Sequence, residues 1–391
     1  MIEKIKQLSR AVAQEVILHR RYIHQNPELS FQEVQTAQYI RDQLKKWNIP
    51  FESGIGGNGV VASIKGFNPD SKTICLRADM DALPIDEKTF LEYSSIRPGI
   101  MHACGHDVHT ASLLGTCFIL KQISSEFEGT IRCIFQPGEE LAPGGASLMI
   151  KDGVLTNPVP TGIIGQHVYP VLKAGQVGFR TGKMMASSDE IEIKILGKGG
   201  HGALPHLSVD PVIIASHSII AVQQIVSRMA DPIMPTVLNF GYIKSQNGTH
   251  NVIPESVEIK GTFRTFDEKW REEGLLKIQK IIKGIAESMG GVAEVKINRG
   301  YPFLINDQKL TDHCREAAEE YLGKENVFEL PLRLTSEDFA FYTHHVPGCF
   351  YRLGTNNADG DYSHQVHTPY FNIDETALSI STGLMAWMAI K

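Results

Sequence analysis

Short apolar runs alternate with segments of helical periodicity along the first part of this chain, and this alternation constrains the fold more than any other feature. The pattern predicts strands at about 60–64, 73–77, 130–135 and 161–166, and helices at about 2–25, 31–47, 110–122 and 147–151. Strands that alternate with helices are typical of an α/β domain with a largely parallel sheet. We therefore predict an α/β fold.

The pattern changes near residue 186. Residues 190–195 alternate between charged and apolar side chains, which is typical of a strand with one solvated face. The following elements are predicted in the order β-α-β-β-α-β, which is that of a ferredoxin-like unit. Strand and helix patterns resume afterwards, so we predict that this unit is inserted into the α/β domain. The predicted domains are residues 1–185 and 294–391 for the main domain and 186–293 for the insertion.

Composition argues against several classes of function. The chain is 42% hydrophobic and 21% charged, with a net charge of −6, and this mild acidity disfavours nucleic acid or an anionic membrane as the main partner. We expect no membrane span, because no apolar run approaches the roughly 20 residues needed. We expect no signal peptide, because the charged N-terminus lacks an apolar region. The six cysteines show no framework spacing, which indicates a reducing, cytoplasmic setting.

Residues 101–110 carry three histidines, a cysteine and an aspartate, the densest group of potential metal ligands in the chain. Imidazole, thiolate and carboxylate bind divalent transition metals, and Cys104 and His106 lie two positions apart. Histidines also occur on surfaces and in hydrogen-bonded cores, so this segment alone does not establish a metal site. Such a site requires further ligands from distant segments.

Further polar motifs lie next to apolar, strand-like runs, most of them just beyond one. They contain Asp79 and Asp81, Glu139 and Glu140, His167, and the pair His364 and His367. In open α/β sheets, ligand sites form outside the carboxyl ends of the strands. We therefore expect these side chains to face one cleft together with residues 101–110.

The adjacent glutamates Glu139 and Glu140 need a special arrangement to share one site. In a regular strand their side chains would point to opposite faces of the sheet. After Pro137-Gly138 the chain can turn, so that both carboxylates approach one site, where one binds metal and the other transfers protons. The alternative is a solvated acidic turn, which is the ordinary environment of an isolated pair of glutamates.

Five segments of the chain carry a family resemblance: residues 77–84, 101–109, 135–140, 199–206 and 336–339. They resemble the aminoacylase/carboxypeptidase G family of metallo-amidohydrolases, in the branch of indole-3-acetyl-amino-acid hydrolases, hippurate hydrolases and N-acetyldiaminopimelate deacetylases. The resemblance extends over essentially the whole chain. It implies an aminopeptidase-like catalytic domain with two metal ions, and an inserted domain that acts as a lid and forms a homodimer.

The resemblance also implies roles for individual residues. It implies five metal ligands: Cys104, His106, Glu140, His167 and His367. It implies that Glu139 is the general base. Asp81 resembles a carboxylate that orients a ligand or the base.

The same residues suit the chemistry of two divalent ions. Two cations about 3.5–4 Å apart can polarise an amide carbonyl and hold a hydroxide nucleophile. This chain departs from other branches of the family at two positions that bear on the identity of the metal. Asp79 stands where other branches have a histidine ligand, and Cys104 stands where they have a carboxylate. Thiolate and imidazole favour zinc, although manganese, cobalt and nickel also suit such ligands.

Three residues of the inserted domain are further candidates. His201, in a glycine-rich turn, resembles a residue that hydrogen-bonds the developing oxyanion, either in cis or from the neighbouring subunit. An ordinary turn histidine is the alternative. Arg264 and Asn251 resemble residues that bind the free carboxylate of the substrate, a task that suits a guanidinium. An ordinary surface arginine is the alternative for Arg264.

These observations predict a metal-dependent hydrolase that cleaves the amide bond of N-acyl amino acids, with Glu139 as general base. A dipeptidase or carboxypeptidase that uses the same two-metal chemistry is the first alternative. The second is a catalytically silent metal-binding homologue, which would be expected to lack the base or a ligand. Glu139 and all five ligand positions are present.

Overall fold

The computed structural model describes residues 1–246, 248–357 and 359–391. The chain forms two compact units. The first contains Met1–Met184, Ile305–Pro331 and Asp338–Lys391, and the second contains Met185–Leu304 and Leu332–Glu337. The predicted boundary after residue 293 differs from the observed one, because the strand at Val292–Arg299 pairs with the first strand of the inserted sheet and therefore belongs to the second unit.

The helices and strands are numbered in chain order. The helices are α1 (Ile2–Gln25), α2 (Val34–Lys46), α3 (His106–Gln122), α4 (Gly145–Lys151), α5 (Pro211–Gln224), α6 (Glu268–Ser288), α7 (Gln308–Leu322), α8 (Ala340–Thr343) and α9 (Thr376–Ile390). The strands are β1 (Phe51–Ile55), β2 (Gly59–Lys65), β3 (Thr73–Asp79), β4 (Thr130–Gln136), β5 (Gly162–Lys173), β6 (Val177–Phe179), β7 (Gly182–Met185), β8 (Asp189–Leu196), β9 (Gly200–His201), β10 (Val237–Ser245), β11 (Val252–Ile253), β12 (Ser256–Arg264), β13 (Val292–Arg299), β14 (Leu304–Asn306), β15 (Val327–Glu329) and β16 (Gly348–Asn356).

The first unit is built around a mixed sheet which, in the described residues, has the strand order β1-β2-β4-β3-β5-β16-β6-β15. The centre of this sheet is parallel: β4 pairs with β3, β3 with β5, and β5 with β16. Every residue of β4 is buried, which is typical of a central parallel strand with both faces covered. The predicted α/β fold is confirmed.

Helix α3 begins at His106, before the predicted start at residue 110, and this changes the geometry of the metal-rich segment. Gly105 has a φ of +83°, and a Cβ atom there would lie 2.6 Å from a methyl group of Val168 in β5. Glycine therefore allows the chain to enter the helix close against the sheet. As a result, Cys104 lies just before the helix, and His106 and His109 lie in its first turn.

The second unit contains an antiparallel sheet with the strand order β10-β12-β8-β13 in the described part of the chain. Along β8, buried side chains alternate with exposed or half-buried ones, as the sequence pattern predicts. Ile214 of α5 and Ile278 of α6 are buried in one core with Ile193 of β8. The element order β8-α5-β10-β12-α6-β13 confirms the predicted β-α-β-β-α-β order.

Residues 211–229 of the second unit are, by length and composition alone, long and apolar enough to cross a membrane. The core helix of a globular protein meets the same criterion, so this segment does not contradict the expectation that the chain has no membrane span. Ile214 and Val222 of this segment are buried in the core of the second unit, whereas Ile213 and Ile220 are exposed. One face of this segment thus belongs to a packed core, and another presents apolar side chains outward.

A buried ion pair in the second unit yields a stability prediction. Asp189 is fully buried, and its two carboxylate oxygens accept hydrogen bonds of 2.7 Å from Nε and Nη2 of Arg271. Loss of the guanidinium would leave a buried carboxylate without its charged partner. We therefore expect Arg271→Ala to lower the free energy of unfolding by about 3–5 kcal/mol, measured by urea denaturation followed by circular dichroism.

The pair of Arg299 with Glu272 provides the matched control, since both of these side chains are about half exposed. We expect Arg299→Ala to lower the free energy of unfolding by less than about 1 kcal/mol. Equal losses in the Arg271 and Arg299 variants would contradict a special role for the buried pair.

Candidate metal centre

The carboxyl ends of adjacent parallel strands carry the predicted metal-site residues of the first unit. β3 ends at Asp79, β4 is followed by Glu139 and Glu140, and His167 lies in β5. Because β4, β3 and β5 are neighbours in the sheet, these side chains meet at one edge. The start of α3 joins them, since the ring centroids of His106 and His167 lie 6.2 Å apart.

Two overlapping groups of ligand atoms share Cys104. In the first group, ligand atoms of Cys104, His106 and His167 all lie within 4.8 Å of one another. The same holds in the second group for Cys104, Glu140 and His367. Sγ of Cys104 lies 3.3 Å from Nε2 of His167 and 3.2 Å from Nε2 of His367. The structure thus brings all five predicted ligands together around one sulfur atom.

Hydrogen bonds at the far ring nitrogens orient two of these histidines. Nδ1 of His167 lies 2.9 Å from the backbone oxygen of Val168, and Nδ1 of His106 lies 2.9 Å from the backbone oxygen of Asp81. A carbonyl oxygen only accepts, so each Nδ1 carries a proton and donates it. The remaining Nε2 of each ring is the nitrogen available to a metal, as is typical of metal-binding histidines.

Two buried atoms of the cluster have no hydrogen-bond partner within the described residues, namely Nε2 of His106 and Oε1 of Glu140. Oε1 of Glu140 lies 3.2 Å from Nε2 of His367, an ion-pair distance without hydrogen-bond geometry. Leaving a buried polar atom without a partner costs about 1–3 kcal/mol. Cations would satisfy both atoms, and the thiol, imidazole and carboxylate donors fit divalent transition metals.

The electrostatics of the cleft favour cations. Burial alone would lower the pKa of His106, but the carboxylates of Asp79 and Asp81 raise it to about 10. Burial raises the pKa of the Cys104 thiol, and the carboxylate of Glu140 raises it further. In the absence of metal these groups therefore retain protons at neutral pH. Bound cations would displace these protons, so metal affinity should rise with pH.

Asp81 connects the two ligand groups. Its Oδ1 lies 3.1 Å from Nδ1 of His106. Its Oδ2 accepts hydrogen bonds of 2.9 Å from the backbone nitrogen of Glu140 and 2.7 Å from the hydroxyl of Ser30. One carboxylate therefore holds a predicted ligand of each group, which supports the predicted orienting role of Asp81.

A buried network of charged groups lies behind the ligands. Arg77 donates hydrogen bonds to Asp79 through Nη1 and to Asp338 through Nη2. Nδ1 of His109 lies 2.6 Å from Oδ1 of Asp79, and its Nε2 accepts a hydrogen bond from the backbone nitrogen of Val168. Although Asp79 lies close enough to His109 and its neighbours to form a ligand group, both of its oxygens have protein partners. Asp79 therefore connects Arg77 to His109 behind the predicted ligands.

Glu139, the predicted base, lies between this network and the ligands. Its Oε1 accepts a hydrogen bond of 3.4 Å from the backbone nitrogen of Asp338. Ligand atoms of Glu139, Glu140 and His106 lie within 4.8 Å of one another. Gly138, with a φ of +58°, provides the turn that brings both adjacent carboxylates to this cleft. The alternative of a solvated acidic turn is excluded, because Glu139 is buried.

Sequence reasoning missed Arg77 as a functional candidate. The signal was a charged residue within the apolar strand pattern at 73–77. Arg77 is fully buried, and a buried guanidinium requires charged or polar partners. A buried arginine next to the Asp79-Met80-Asp81 motif could therefore have indicated an ion network at this position.

The three remaining candidates belong to the second unit. His201 is paired with Val252 in the short β9–β11 ladder, and Asn251 directly precedes β11. Both His201 and Asn251 are exposed. Arg264, at the end of β12, is half-buried and donates a hydrogen bond of 3.0 Å to the backbone oxygen of Leu334. Burial lowers the pKa of Arg264, and no carboxylate pairs with it among the described residues.

The inserted sheet separates Arg264 from the other two candidates. β12 runs from Ser256, which is paired with Leu196, to Arg264. His201 and Asn251 lie beyond the Ser256 end, where β9 and β11 form a separate two-stranded sheet. The eight residue steps along β12 span roughly 27 Å at about 3.4 Å per residue. Arg264 and Asn251 therefore lie toward opposite ends of β12 within one chain, and their binding of the substrate carboxylate stays a prediction.

Comparison with known proteins agrees with this geometry. Residues 75–389 match the model of peptidase family M20/M25/M40. The N-acetyl-L-cysteine deacetylase of Bacillus subtilis is 44% identical over 359 residues, which cover 92% of this chain and 83% of that protein. Thermostable carboxypeptidase 2 of Saccharolobus solfataricus is 37% identical over 100% of this chain and 98% of that protein. A dinuclear metal-binding peptidase of the M20 family from Bacillus subtilis superposes with a TM-score of 0.82 at 35% identity, covering 97% of this chain and 98% of that structure.

The shared position of Cys104 yields a prediction about metal content. We expect wild-type protein to retain about two divalent ions per chain after dialysis. Because Cys104 belongs to both ligand groups, Cys104→Ala should weaken both sites and leave less than about one ion per chain. Inductively coupled plasma mass spectrometry of protein dialysed under reducing conditions measures this content.

The matched control is Cys117→Ala, since Cys117 is also a buried cysteine but lies in the apolar core outside both ligand groups. It should retain the wild-type metal content. Full metal content in Cys104→Ala would remove Cys104 from the ligand set.

Proposed function

This chain belongs to peptidase family M20/M25/M40, and on that premise we propose that it hydrolyses the amide bond of N-acyl amino acids with the help of two divalent metal ions. The observation that carries this proposal is the pair of ligand groups that share Cys104, with the buried carboxylate of Glu139 beside them. The 44% identity to a protein named N-acetyl-L-cysteine deacetylase supports an N-acyl amino acid as substrate.

The proposed ligands of the two ions are Cys104, His106, Glu140, His167 and His367. A thiolate and three imidazoles favour zinc, and manganese, cobalt or nickel are the alternatives that such donors accept. When bound, two cations supply an activated water molecule and a polarised substrate carbonyl. The protein residues would then hold the two ions, position the general base and transfer protons.

Glu139 is the proposed general base. It takes a proton from the attacking water and later delivers that proton to the nitrogen of the departing amino acid. The hydrogen bond from the backbone nitrogen of Asp338 to Oε1 of Glu139 restricts the position of this carboxylate. Asp81 holds the backbone nitrogen of the neighbouring Glu140, so it fixes the proposed base and a proposed ligand relative to each other.

A carboxypeptidase or dipeptidase activity is the second candidate function. The specific observation in its favour is the 37% identity, over essentially full length, to a protein named thermostable carboxypeptidase 2. Hydrolysis of a peptide and of an N-acyl amino acid breaks the same kind of bond by the same two-metal chemistry. The two candidates differ in the acyl group, which is an aminoacyl or peptidyl group in a peptide and the acyl group of a simple carboxylic acid in an N-acyl amino acid.

We further propose that the second unit mediates a homodimer. β10 is an edge strand of the inserted sheet, and Tyr242 and Ile243 on it are exposed. Ile213 and Ile220 of α5 add exposed apolar surface to the same unit. An edge strand with apolar neighbours can pair with the same strand of a second copy. Such pairing uses the same surface on both chains, as a two-fold symmetric dimer does.

In such a dimer, His201 would act on the substrate bound by the partner chain. The separation of Arg264 from His201 and Asn251 along β12 supports this arrangement. If Arg264 contacts the substrate carboxylate of its own chain, His201 and Asn251 reach a substrate only in another chain. His201 would then donate a hydrogen bond to the developing oxyanion.

We also propose a cytoplasmic location. All six cysteines lie in the described part of the chain, where each is free and buried. Free cysteines are typical of proteins from reducing compartments.

A substrate panel tests the proposed activity. N-acetyl, N-benzoyl and indole-3-acetyl amino acids and two dipeptides are incubated with the enzyme and zinc, manganese, cobalt or no metal, under reducing conditions. We expect metal-dependent release of the amino acid from at least one N-acyl substrate. Hydrolysis of dipeptides alone would replace the proposal by the peptidase alternative, and no hydrolysis with two ions bound would favour the silent homologue.

The assignment of Glu139 as base yields a prediction about turnover. Glu139→Gln keeps the size of the side chain but removes its ability to accept a proton. We expect kcat to fall by about 10²–10⁴-fold, while metal content stays near the wild-type value. Steady-state kinetics with parallel metal measurement checks this, and retained turnover would remove Glu139 as base.

The dimer yields a prediction about complementation. We expect His201→Ala and Glu139→Gln to be nearly inactive as separate proteins. Chains mixed during refolding or co-expression should recover about a quarter of wild-type activity, because half of the dimers then contain one intact site. Mixing Glu139→Gln with Glu139→Ala, which also lacks the proposed base, is the control and should recover nothing. No recovery in the first mixture would exclude action of His201 in the partner chain.

A further inference from the structure

The turn that carries Glu139 rests on the segment between α1 and α2. Gly138 directs this turn with a φ of +58°, and a Cβ atom at Gly138 would lie 2.3 Å from the ring of Phe31. Phe31 itself has a φ of +65°, an uncommon conformation for a bulky residue. The same φ explains why α2 begins at Val34, after the predicted start at 31. The ring of Phe31 therefore packs directly against the turn at Gly138.

Glu33 joins these two backbones. Its Oε1 accepts hydrogen bonds of 2.7 Å from the backbone nitrogen of Gly138 and 2.8 Å from that of Phe31. Its Oε2 accepts one of 3.2 Å from the side-chain nitrogen of Asn58. The side chain of Glu33 is fully buried. A strained residue such as Phe31 persists only when its surroundings fix it, and strain of this kind is typical of functional sites.

Helix capping does not explain this position. Glu33 is the N-cap residue of α2, yet its side chain makes no hydrogen bond to the helix. Glu28 supplies that contact instead, since its Oε2 accepts hydrogen bonds from the backbone nitrogen and the hydroxyl of Thr36. The carboxylate of Glu33 is thus directed away from the helix and toward the turn that carries Glu139.

Glu33 and Asp81 hold opposite sides of the proposed base. The backbone nitrogen of Gly138 donates to Glu33, and that of Glu140 donates to Asp81. The residue between these two anchored amides is Glu139. Hydrogen bonds from backbone N–H groups to a carboxylate are roughly twice as strong as neutral ones.

We propose that Glu33 is a positioning residue that fixes the turn of Gly138 and thereby places the carboxylate of Glu139 for proton transfer. This inference rests on the proposed role of Glu139 as base. Glu33 has no place among the ligand groups, so its loss should leave metal binding intact. A displacement of the base of about 1 Å lowers turnover by about 10²-fold.

The ionisation of Glu33 provides a readout specific to this role. Burial and the negative charge of Asp81 raise the pKa of Glu33 to about 7, against the opposing effect of its hydrogen bonds. The other ionisable side chains on the turn packed against it are Glu139 and Glu140. Above its pKa, Glu33 is charged and holds the amides of Gly138 and Phe31 more strongly. Bound cations would lower this pKa.

The first experiment compares two carboxylates of the same segment. Glu33→Gln keeps an acceptor oxygen but loses the charge, and Glu28→Gln makes the same chemical change at the residue that caps α2. We expect Glu33→Gln to lower kcat about tenfold at pH 8 with KM and metal content within about twofold of wild type. Glu28→Gln should leave the shape of the pH–rate profile unchanged, whereas Glu33→Gln should flatten its rise with pH.

The second experiment does not require activity. Ser30-Phe31 is the one Ser-Phe pair in the sequence, so carbonyl-¹³C serine with ¹⁵N phenylalanine isolates the Phe31 amide in NMR spectra. Carbonyl-¹³C proline with ¹⁵N glycine isolates four amides, those of Gly99, Gly138, Gly144 and Gly348. In the wild type, with and without zinc, the amide proton resonances of Phe31 and of one of these glycines should shift upfield as the pH falls. In Glu33→Gln both should be shifted upfield at all pH values.

The outcomes separate this inference from the proposed function. An inactive wild type would remove the proposed function and leave the NMR result to decide whether Glu33 holds the turn. An active wild type with unchanged kcat in Glu33→Gln would overturn the positioning role. Loss of metal or a large rise in KM would also overturn it, because Glu33 would then act on binding. Unshifted Phe31 and glycine amides in Glu33→Gln would show that no carboxylate holds the turn.

Discussion

Buried negative charge at one edge of the main sheet is the constraint on which the rest of the site depends. A buried charge is costly unless a partner neutralises it. On one side of the cleft, the positively charged guanidinium of Arg77 is hydrogen-bonded to the carboxylates of Asp79 and Asp338. On the other side, Glu140 lies beside His367, and Cys104 lies beside His167 and His367. Divalent cations are the partners that complete this second half.

The sheet makes this concentration of charge possible. Residues 77, 79 and 81 follow the two-residue repeat of an extended chain, so Arg77 and Asp79 share one face of β3. The parallel strands on either side then deliver Glu140 and His167 to the same edge. The segment at 28–33 supports the arrangement from outside the sheet, because Ser30 is hydrogen-bonded to Asp81 and Glu33 to the backbone nitrogen of Gly138. The predicted ligands and the residues that support them therefore come from segments far apart in the chain.

The sequence pattern predicted the fold class and the inserted β-α-β-β-α-β order, and the family resemblance predicted Cys104 and the four residues that surround it. These features depend on local periodicity and on motifs of a few residues, which a sequence displays directly. The start of α3 was predicted too late, because the close approach of Gly105 to Val168 is a tertiary contact. The role of Glu33 was not predicted, since Glu33 and Gly138 lie 105 positions apart. Arg77 and Asp338 lie 261 positions apart, and no local pattern pairs them.

Anomalous diffraction from crystals of the zinc-loaded protein tests the shared-thiolate metal centre most directly. If Cys104 joins both ligand groups, two zinc peaks should lie about 3.5–4 Å apart, both within bonding distance of its sulfur atom, with His106 and His167 at one ion and Glu140 and His367 at the other. A single peak would contradict the dinuclear site. A second peak beside Asp79 and His109, away from Cys104, would contradict the assignment of the ligands.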